Sequence, residues 1–361
     1  MRPMTRDPAA PFRGLSAYPL TPLRDDVLDV EALRTVVRRL VPAGAGSPGA
    51  GAGSSAGPSS DASGGLAGHA AGPVVDSIGA LGSTGSYAYL DREEWTTALR
   101  TILAEAGTTP VVAGIGALRT REAVARARTA EQLGAAGLLL APVSYQPLRD
   151  SEVLGLFTAV AEAVDLPICI YDNPGTTGFR FSLDLYARLA RIPGVAAVKI
   201  PPTDGTDAPP AQRLARIRES VGEGFAIGIS GDAAAAAHLA AGADAWHSVV
   251  AGLFPHAARR LVDAAGTGAE GTGTALSDAV PADTGQSDAV PADTVQSGTA
   301  PPDELEVLRP LLAAHGSVRV MAAAAAELGL VAADCLPHPL LPLDGADREA
   351  VVAAVRSLAA R

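Results

Sequence analysis

Residues 110–143, PVVAGIGALRTREAVARARTAEQLGAAGLLLAPV, read as a strand, a helix and a second strand. PVVAGIGA (110–117) and GLLLAPV (137–143) lack the every-second-residue polarity of a sheet with one wet face, so both are expected to be buried on both sides. A helical pattern over 120–134 joins them. The same unit recurs in both directions along the chain. Apolar runs stand at RGLSAYPL (13–20), SIGALGS (77–83), PICIYDN (167–173), VAAVKIP (195–201), FAIGISGD (225–232) and AWHSVVAG (245–252), making eight in all. In LDVEALRTVVRRLV (28–41), Val30, Leu33, Val37 and Leu40 recur at helical spacing behind Asp29, a fitting N-cap. Asp91 and Glu94 in LDREEW have the spacing of a capping box. Further helices are expected at 150–164, 182–191, 211–220 and 232–241. Eight buried strands alternating with helices predict an α/β fold, a closed (β/α)8 TIM barrel. The competing doubly wound sheet lacks its Gly-rich fingerprint, because SAYPLTPL follows the first strand.

Two stretches interrupt this pattern. Residues 43–73 are almost wholly Gly, Ala, Ser and Pro, and 264–302 contain the tandem repeat SDAVPADT at 277–284 and 287–294. Neither can bury enough apolar surface to offset the entropy of ordering, so both are expected to be disordered low-complexity insertions. The expected organisation is a barrel over 13–263 broken by 43–73, then the 264–302 insertion, then a C-terminal helical region over 303–361. Within 361 residues, 48% are hydrophobic and the formal net charge is −11, with a pI near 5.0. That balance opposes nonspecific attachment to nucleic acid or anionic membrane. With no apolar stretch of signal or membrane-spanning length, a cytoplasmic location is expected. The two cysteines and six histidines form no metal-ligand motif, so no metal site is expected.

Chemistry in such a barrel gathers at the carboxyl ends of the strands. There the chain places its only lysine, Lys199, in VAAVKIPPTD (195–204), against 27 arginines elsewhere. A lysine on a buried strand can supply a neutral amine that condenses with a ketone, which a guanidinium cannot. GSTG (82–85) offers backbone amides and two hydroxyls in a turn suited to a carboxylate or phosphate. Tyr171 can pass a proton if its phenol reaches the pocket. Asp172 reads as a turn or cap residue, and Tyr18, Trp246 and His247 as barrel fillers.

AYPLTPL (17–23), IGALGSTGSYAYLDREEW (78–95), PVVAGIG, PICIYDNPGTTG (167–178), VAAVKIP and ISGD (229–232) together resemble the dihydrodipicolinate synthase and N-acetylneuraminate lyase superfamily of Schiff-base barrel enzymes. The resemblance runs from about residue 13 to 255 outside the first insertion. It implies a homo-oligomer, a tetramer or a dimer, that takes a small 2-oxo acid such as pyruvate as an imine and pairs it with an aldehyde. Lys199 then corresponds to the imine-forming lysine and Tyr171 to the proton relay. Ser83 and Thr84 correspond to the hydroxyl pair whose amides hold the 2-oxo acid carboxylate, Ser83 counting with Lys199 and Tyr171 as catalytic, with Gly85 beside them and Gly231 in the pocket-lining SGD turn. The resemblance implies no metal or organic cofactor. Two positions depart from the pattern. The arginine that grips the aldehyde's carboxylate in the lysine-pathway enzymes is replaced by Thr176. The place of a tyrosine that reaches a neighbouring subunit holds Ser144, with Tyr145 next to it. The expected function is a class I aldolase, lyase or dehydratase. Within the same class stands 4-hydroxy-tetrahydrodipicolinate synthase, which uses pyruvate and aspartate semialdehyde. Outside it stands a non-catalytic barrel that binds a 2-oxo acid.

Overall fold

Strands that are apolar on both faces need cover on both, and a cylinder surrounded by helices supplies it. In the computed structural model, which describes residues 7–42, 74–203, 205–206, 208–269 and 304–359, eight parallel strands close into a barrel. They are β1 (Gly14–Ala17), β4 (Ser77–Ala80), β5 (Val111–Gly114), β6 (Gly137–Leu140), β7 (Ile168–Tyr171), β8 (Val195–Ile200), β9 (Ala226–Ser230) and β10 (Ala245–Ser248), and β10 pairs back onto β1. A two-stranded hairpin, β2 (Leu23–Arg24) with β3 (Val27–Leu28), follows β1 and was not anticipated from the sequence.

The expected caps form. Asp29 accepts the Ala32 amide at the start of α1 (Val30–Arg38), and Asp91 and Glu94 exchange bonds at the start of α2 (Arg92–Ala106). Helices α3 (Thr120–Leu133), α4 (Asp150–Ala161), α6 (Leu183–Leu189), α7 (Pro210–Val221) and α8 (Ala235–Ala240) lie within a few residues of their predicted places, and a one-turn α5 (Pro174–Thr177) follows β7. The last barrel helix, α9 (Pro255–Ala269), corrects one boundary: residues 264–269 continue the helix instead of opening the second insertion. A helix already nucleated on an apolar stripe propagates through weak helix formers at little cost. The rest of the expected insertions, 43–73 and 270–302, lies outside the described residues.

Beyond them α10 (Arg309–His315), α11 (Ser317–Glu327) and α12 (Gly345–Ala359) pack against the barrel, with Val320, Met321, Leu336 and Val351 in the same apolar cluster as the barrel's outer layer. The Leu23 amide donates to the Cys335 carbonyl at 2.9 Å, tying this region to the hairpin at the strand-end face. A second, smaller cluster fills the barrel itself: Phe12 plugs the amino end, and Val112, Leu139, Cys169, Ala197 and Ala226 rise to Tyr18 and Tyr171. The small side chains in this column leave room for the large polar ones above.

Candidate active site

Alternation along a strand sends every second side chain inward. In β7 and β8 the pairs Cys169 with Ala197 and Tyr171 with Lys199 lie in register, so the alternation that places Cys169 in the barrel core also places Tyr171 and Lys199 inside it. Lys199 is 3% exposed, and its Nζ sits 4.3 Å from the centre of the Tyr171 ring. Among the described residues it makes no hydrogen bond or ion pair. The Tyr171 hydroxyl lies 3.2 Å from Ser83 Oγ and accepts from Asn173 Nδ2 at 2.9 Å, and the same amide reaches Ser83 at 3.4 Å. Tyrosine, serine and asparagine therefore form one polar triangle beside the amine.

Ser83 belongs to the turn after β4. Two non-glycine residues bracket that turn in the left-handed region, Leu81 with φ of 56° and Ser86 with φ of 52°. Such conformations cost energy and persist where the surroundings enforce them. The backbone amides of Ser83 and Thr84 donate to nothing among the described residues, which leaves an open nest for an anion. Thr84 is buried, and its hydroxyl meets Ser317 Oγ at 3.3 Å, so the first turn of α11 supports the turn from behind. Gly85 lies in the same turn, where a Cβ would press to 3.0 Å on the Leu81 backbone. Gly231 opens the turn after β9 and packs against Pro202, three residues beyond Lys199.

The other expected positions are not brought to this cluster. Thr176 is exposed, and its hydroxyl returns to the Asn173 carbonyl. Ser144 turns its hydroxyl to the backbone of Gln146. Tyr145 is 89% exposed. Residues that the sequence reading passed over lie at or beside the cluster instead. Asn173 lies two residues beyond Tyr171, a spacing that keeps it on the same side of extended backbone and could have revealed it. Tyr87 is buried over Gly116, where a Cβ would come within 3.1 Å of its hydroxyl. Burial pushes that phenol up, and the nearby Tyr171 adds to the effect. Nothing local in the sequence marks Ser317.

Charge around the site is unevenly spent. Burial raises the Asp232 carboxyl, against a 2.6 Å hydrogen bond from Ser248 that favours its ionised form. Burial lifts the Cys169 thiol to about 12, even with the Lys199 charge opposing, so this sulfur stays protonated and unreactive. Among the described residues no group of three or more His, Cys, Asp or Glu could hold a metal, and no helix is long and apolar enough to cross a membrane. The arrangement joins a buried amine, a hydroxyl network able to move a proton, and an anion nest: the elements needed to condense an amine with a keto acid.

Comparison with known proteins gives a consistent picture. The sequence profile of the dihydrodipicolinate synthetase family matches residues 65–283. A 4-hydroxy-tetrahydrodipicolinate synthase from Methylococcus capsulatus is 35% identical over 209 residues, 58% of this chain and 70% of that protein. A dihydrodipicolinate synthase crystal structure from Agrobacterium tumefaciens strain C58 superposes with a TM-score of 0.77 at 38% identity, over 97% of this chain and 99% of its own. A chloride-inhibited dihydrodipicolinate synthase from Acinetobacter baumannii, complexed with pyruvate, gives a TM-score of 0.72 at 25% identity, over 96% and 99%.

Proposed function

Because the chain belongs to the dihydrodipicolinate synthetase family and is a lyase of the aldolase kind, we propose that it acts on pyruvate or another 2-oxo acid through an imine on Lys199. The observation that carries this reading is the sole lysine of the chain, 3% exposed at the carboxyl end of a barrel strand with Tyr171 in register beside it.

In this reading the carboxylate of the acid occupies the Ser83 and Thr84 amides, with Gly85 and Gly231 bordering the same pocket. The neutral Lys199 amine attacks C2, and the carbonyl electron pair moves onto oxygen. Tyr171, held by the Asn173 amide, hands that oxygen a proton and is recharged through the Ser83 hydroxyl. A second proton, moved from the attacking nitrogen to the same oxygen through Tyr171, lets it depart as water and leaves a cationic imine. Loss of a C3 proton, or cleavage of a bond to C3, sends electrons into this sink as an enamine. The enamine then adds to an aldehyde carbon or takes up a proton, and hydrolysis returns the amine. No metal or organic cofactor has a step.

Relatives named 4-hydroxy-tetrahydrodipicolinate synthase support aspartate semialdehyde as one second substrate. The exposed Thr176 opposes it, since no cation stands there to grip the aldehyde's carboxylate. We therefore favour a different aldehyde or a modified 2-oxo acid. The assembly would be a homodimer or tetramer that uses the exposed Tyr145 side of the barrel mouth, and the location cytoplasmic.

Incubation with pyruvate, reduction with borohydride and peptide mass analysis test the imine directly. A reduced pyruvate adduct on the Lys199 peptide is expected. Its absence, under conditions that trap a control aldolase, overturns the reading and leaves a binding barrel without catalysis.

A further inference from the structure

Two rings that sequence alone reads as filler stand beside the reacting nitrogen. Tyr18, just past β1, and His247, in β10, are 2% and 3% exposed. The Tyr18 hydroxyl lies 3.2 Å from His247 Nδ1, and the rings meet edge to face with centroids 5.7 Å apart at 73°. On its other side the Tyr18 ring faces Lys199, whose Nζ is 3.7 Å from the ring centre. With Tyr171 at 4.3 Å, the nitrogen lies between two aromatic faces.

The surrounding strands are built to admit these rings. A Cβ on Gly79 would collide with Tyr18 Cζ, and a Cβ on Gly82 would come to 2.8 Å from Tyr18 Cδ1. A Cβ on Gly228, the residue of β9 in register with Lys199, would collide with His247 Nε2. Side chains have been given up on two strands to seat one polar pair. Simple filling does not require this, since aliphatic side chains on β4 and β9 would occupy the same space without buried polar atoms. Among the described residues the buried His247 Nε2 has no hydrogen-bond partner, a cost that a role in filling alone leaves unexplained.

We propose that Tyr18 is the second wall of an aromatic clamp on the Lys199 nitrogen, oriented by its hydrogen bond to His247, and that the clamp stabilises the cationic imine. The proposal rests on the imine reading above and deepens it. When the neutral amine condenses, the nitrogen gains a positive charge that neither the amine nor the keto acid carried. Among the described residues no carboxylate comes within ion-pair distance of it, and the buried Asp232 feels its charge only from farther off. Two ring faces stabilise that charge through their quadrupoles without forming an ion pair. The imine carbon thus remains an electron sink. The protonation states suit the role. Burial holds His247 well below its ordinary range, and a positive charge on the Lys199 nitrogen adds to this, so the imidazole is neutral and sets no second cation beside the imine. Burial also raises the Tyr18 phenol, which keeps its ring uncharged and able to donate to His247. Tyr18 touches the reacting nitrogen, whereas His247 acts through Tyr18 and is a positioning residue.

Two measurements test the clamp. The chain's single lysine gives one ε-methylene signal in lysine-labelled protein. Ring currents from two faces are expected to move it upfield in the wild type, and Tyr18→Leu is expected to move it back partway. This needs no turnover, and a wild-type signal at the solvent-exposed position overturns the geometry even if no variant folds. The second measurement is the pyruvate concentration giving half-maximal borohydride adduct. Tyr18→Leu is expected to raise it by about 2- to 30-fold. Tyr18→Phe, which keeps the ring, should recover most of that loss. His247→Leu should give a smaller rise that His247→Asn, an acceptor at the same reach, reverses. Adduct formation indifferent to Tyr18→Leu in folded protein overturns the clamp alone. Failure of the wild type to trap pyruvate overturns the imine reading and the clamp's catalytic role together.

Discussion

The two ends of the barrel treat polar groups in opposite ways. At the amino ends of the strands charge is paired. Asp244 accepts from Arg13 at 2.8 Å, from Arg218 at 3.1 Å and from the Ile227 amide at 2.9 Å. Asp76 accepts from the Leu15 amide at 2.6 Å and from Arg259 at 2.7 Å. Phe12 plugs the opening between them. At the carboxyl ends the polar atoms have capacity to spare: among the described residues Lys199 has no ion pair, the Ser83 and Thr84 amides are open, and His247 Nε2 and Asp172 Oδ1 have no hydrogen-bond partner. One end is arranged for stability and the other for binding and chemistry. Substitutions at the two ends should therefore separate activity from stability.

The largest separation is expected from Lys199→Met, which conserves volume and removes the amine. Turnover should fall on the order of 10⁴-fold or more and adduct formation should vanish. Urea unfolding should show little loss of stability, because among the described residues the amine makes no direct ion pair to leave behind and acts on the buried Asp232 only at longer range. Tyr171→Phe comes next. Loss of the proton relay is expected to lower kcat by roughly 10²- to 10³-fold, with slower adduct formation and a folded protein by circular dichroism. Asp244→Ala reverses the pattern at the other end. It removes the carboxylate that two guanidinium groups and an amide share, while Arg13 keeps Asp7 and Arg218 keeps the Gly242 carbonyl. The expected loss is therefore about 1–3 kcal/mol of stability, discounted for the partly exposed arginines, with kcat within about twofold of wild type. A large kcat effect from Asp244→Ala, or a large stability effect from Lys199→Met, would break the division.

The sequence revealed what repeats and what is rare. Strand–helix alternation is a local periodicity, so the barrel, the Asp29 cap and the Asp91–Glu94 box could be read residue by residue. Lys199 stood out by being unique, and register then carried it to Tyr171. What could not be read depends on distant partners. Thr84 and Ser317 lie 233 positions apart. The Tyr18–His247 contact spans 229 positions, and only the glycines at 79 and 228, whose missing side chains make the space, hinted at it. Tyr145 shows the converse. Its place beside a family motif pointed to the site, but the loop after β6 turns it into solvent in the single chain. The hairpin β2–β3 was hidden because two-residue strands carry no periodic signal.

Asp172 offers the smallest and most discriminating test, since it belongs to the carboxyl end yet points away from the chemistry. Strand alternation sends Tyr171 inward and Asp172 into the layer between strands and helices, where it is 6% exposed. The Tyr186 hydroxyl donates to Oδ2 at 2.5 Å, and Oδ1 has no partner. Burial lifts this carboxyl to about 6, although the Tyr186 bond and the charges of Arg213 and Arg180 pull the other way. An unfolded aspartate titrates near about 3.9. Between about pH 4 and 6 the folded chain therefore binds more protons than the unfolded chain. Its stability should fall as pH rises through that window, by roughly 2–3 kcal/mol from this group alone. Below the window both states are protonated and the contribution is fully present; above it the contribution is lost. Asp172→Asn keeps an acceptor for Tyr186 and removes the titration. It should gain about 1–2 kcal/mol over wild type at pH 8 and little or nothing at pH 4, read from urea midpoints. An equal effect at both pH values would mean that Asp172 is ionised at no cost, and that spare polar capacity at this end is confined to the barrel interior.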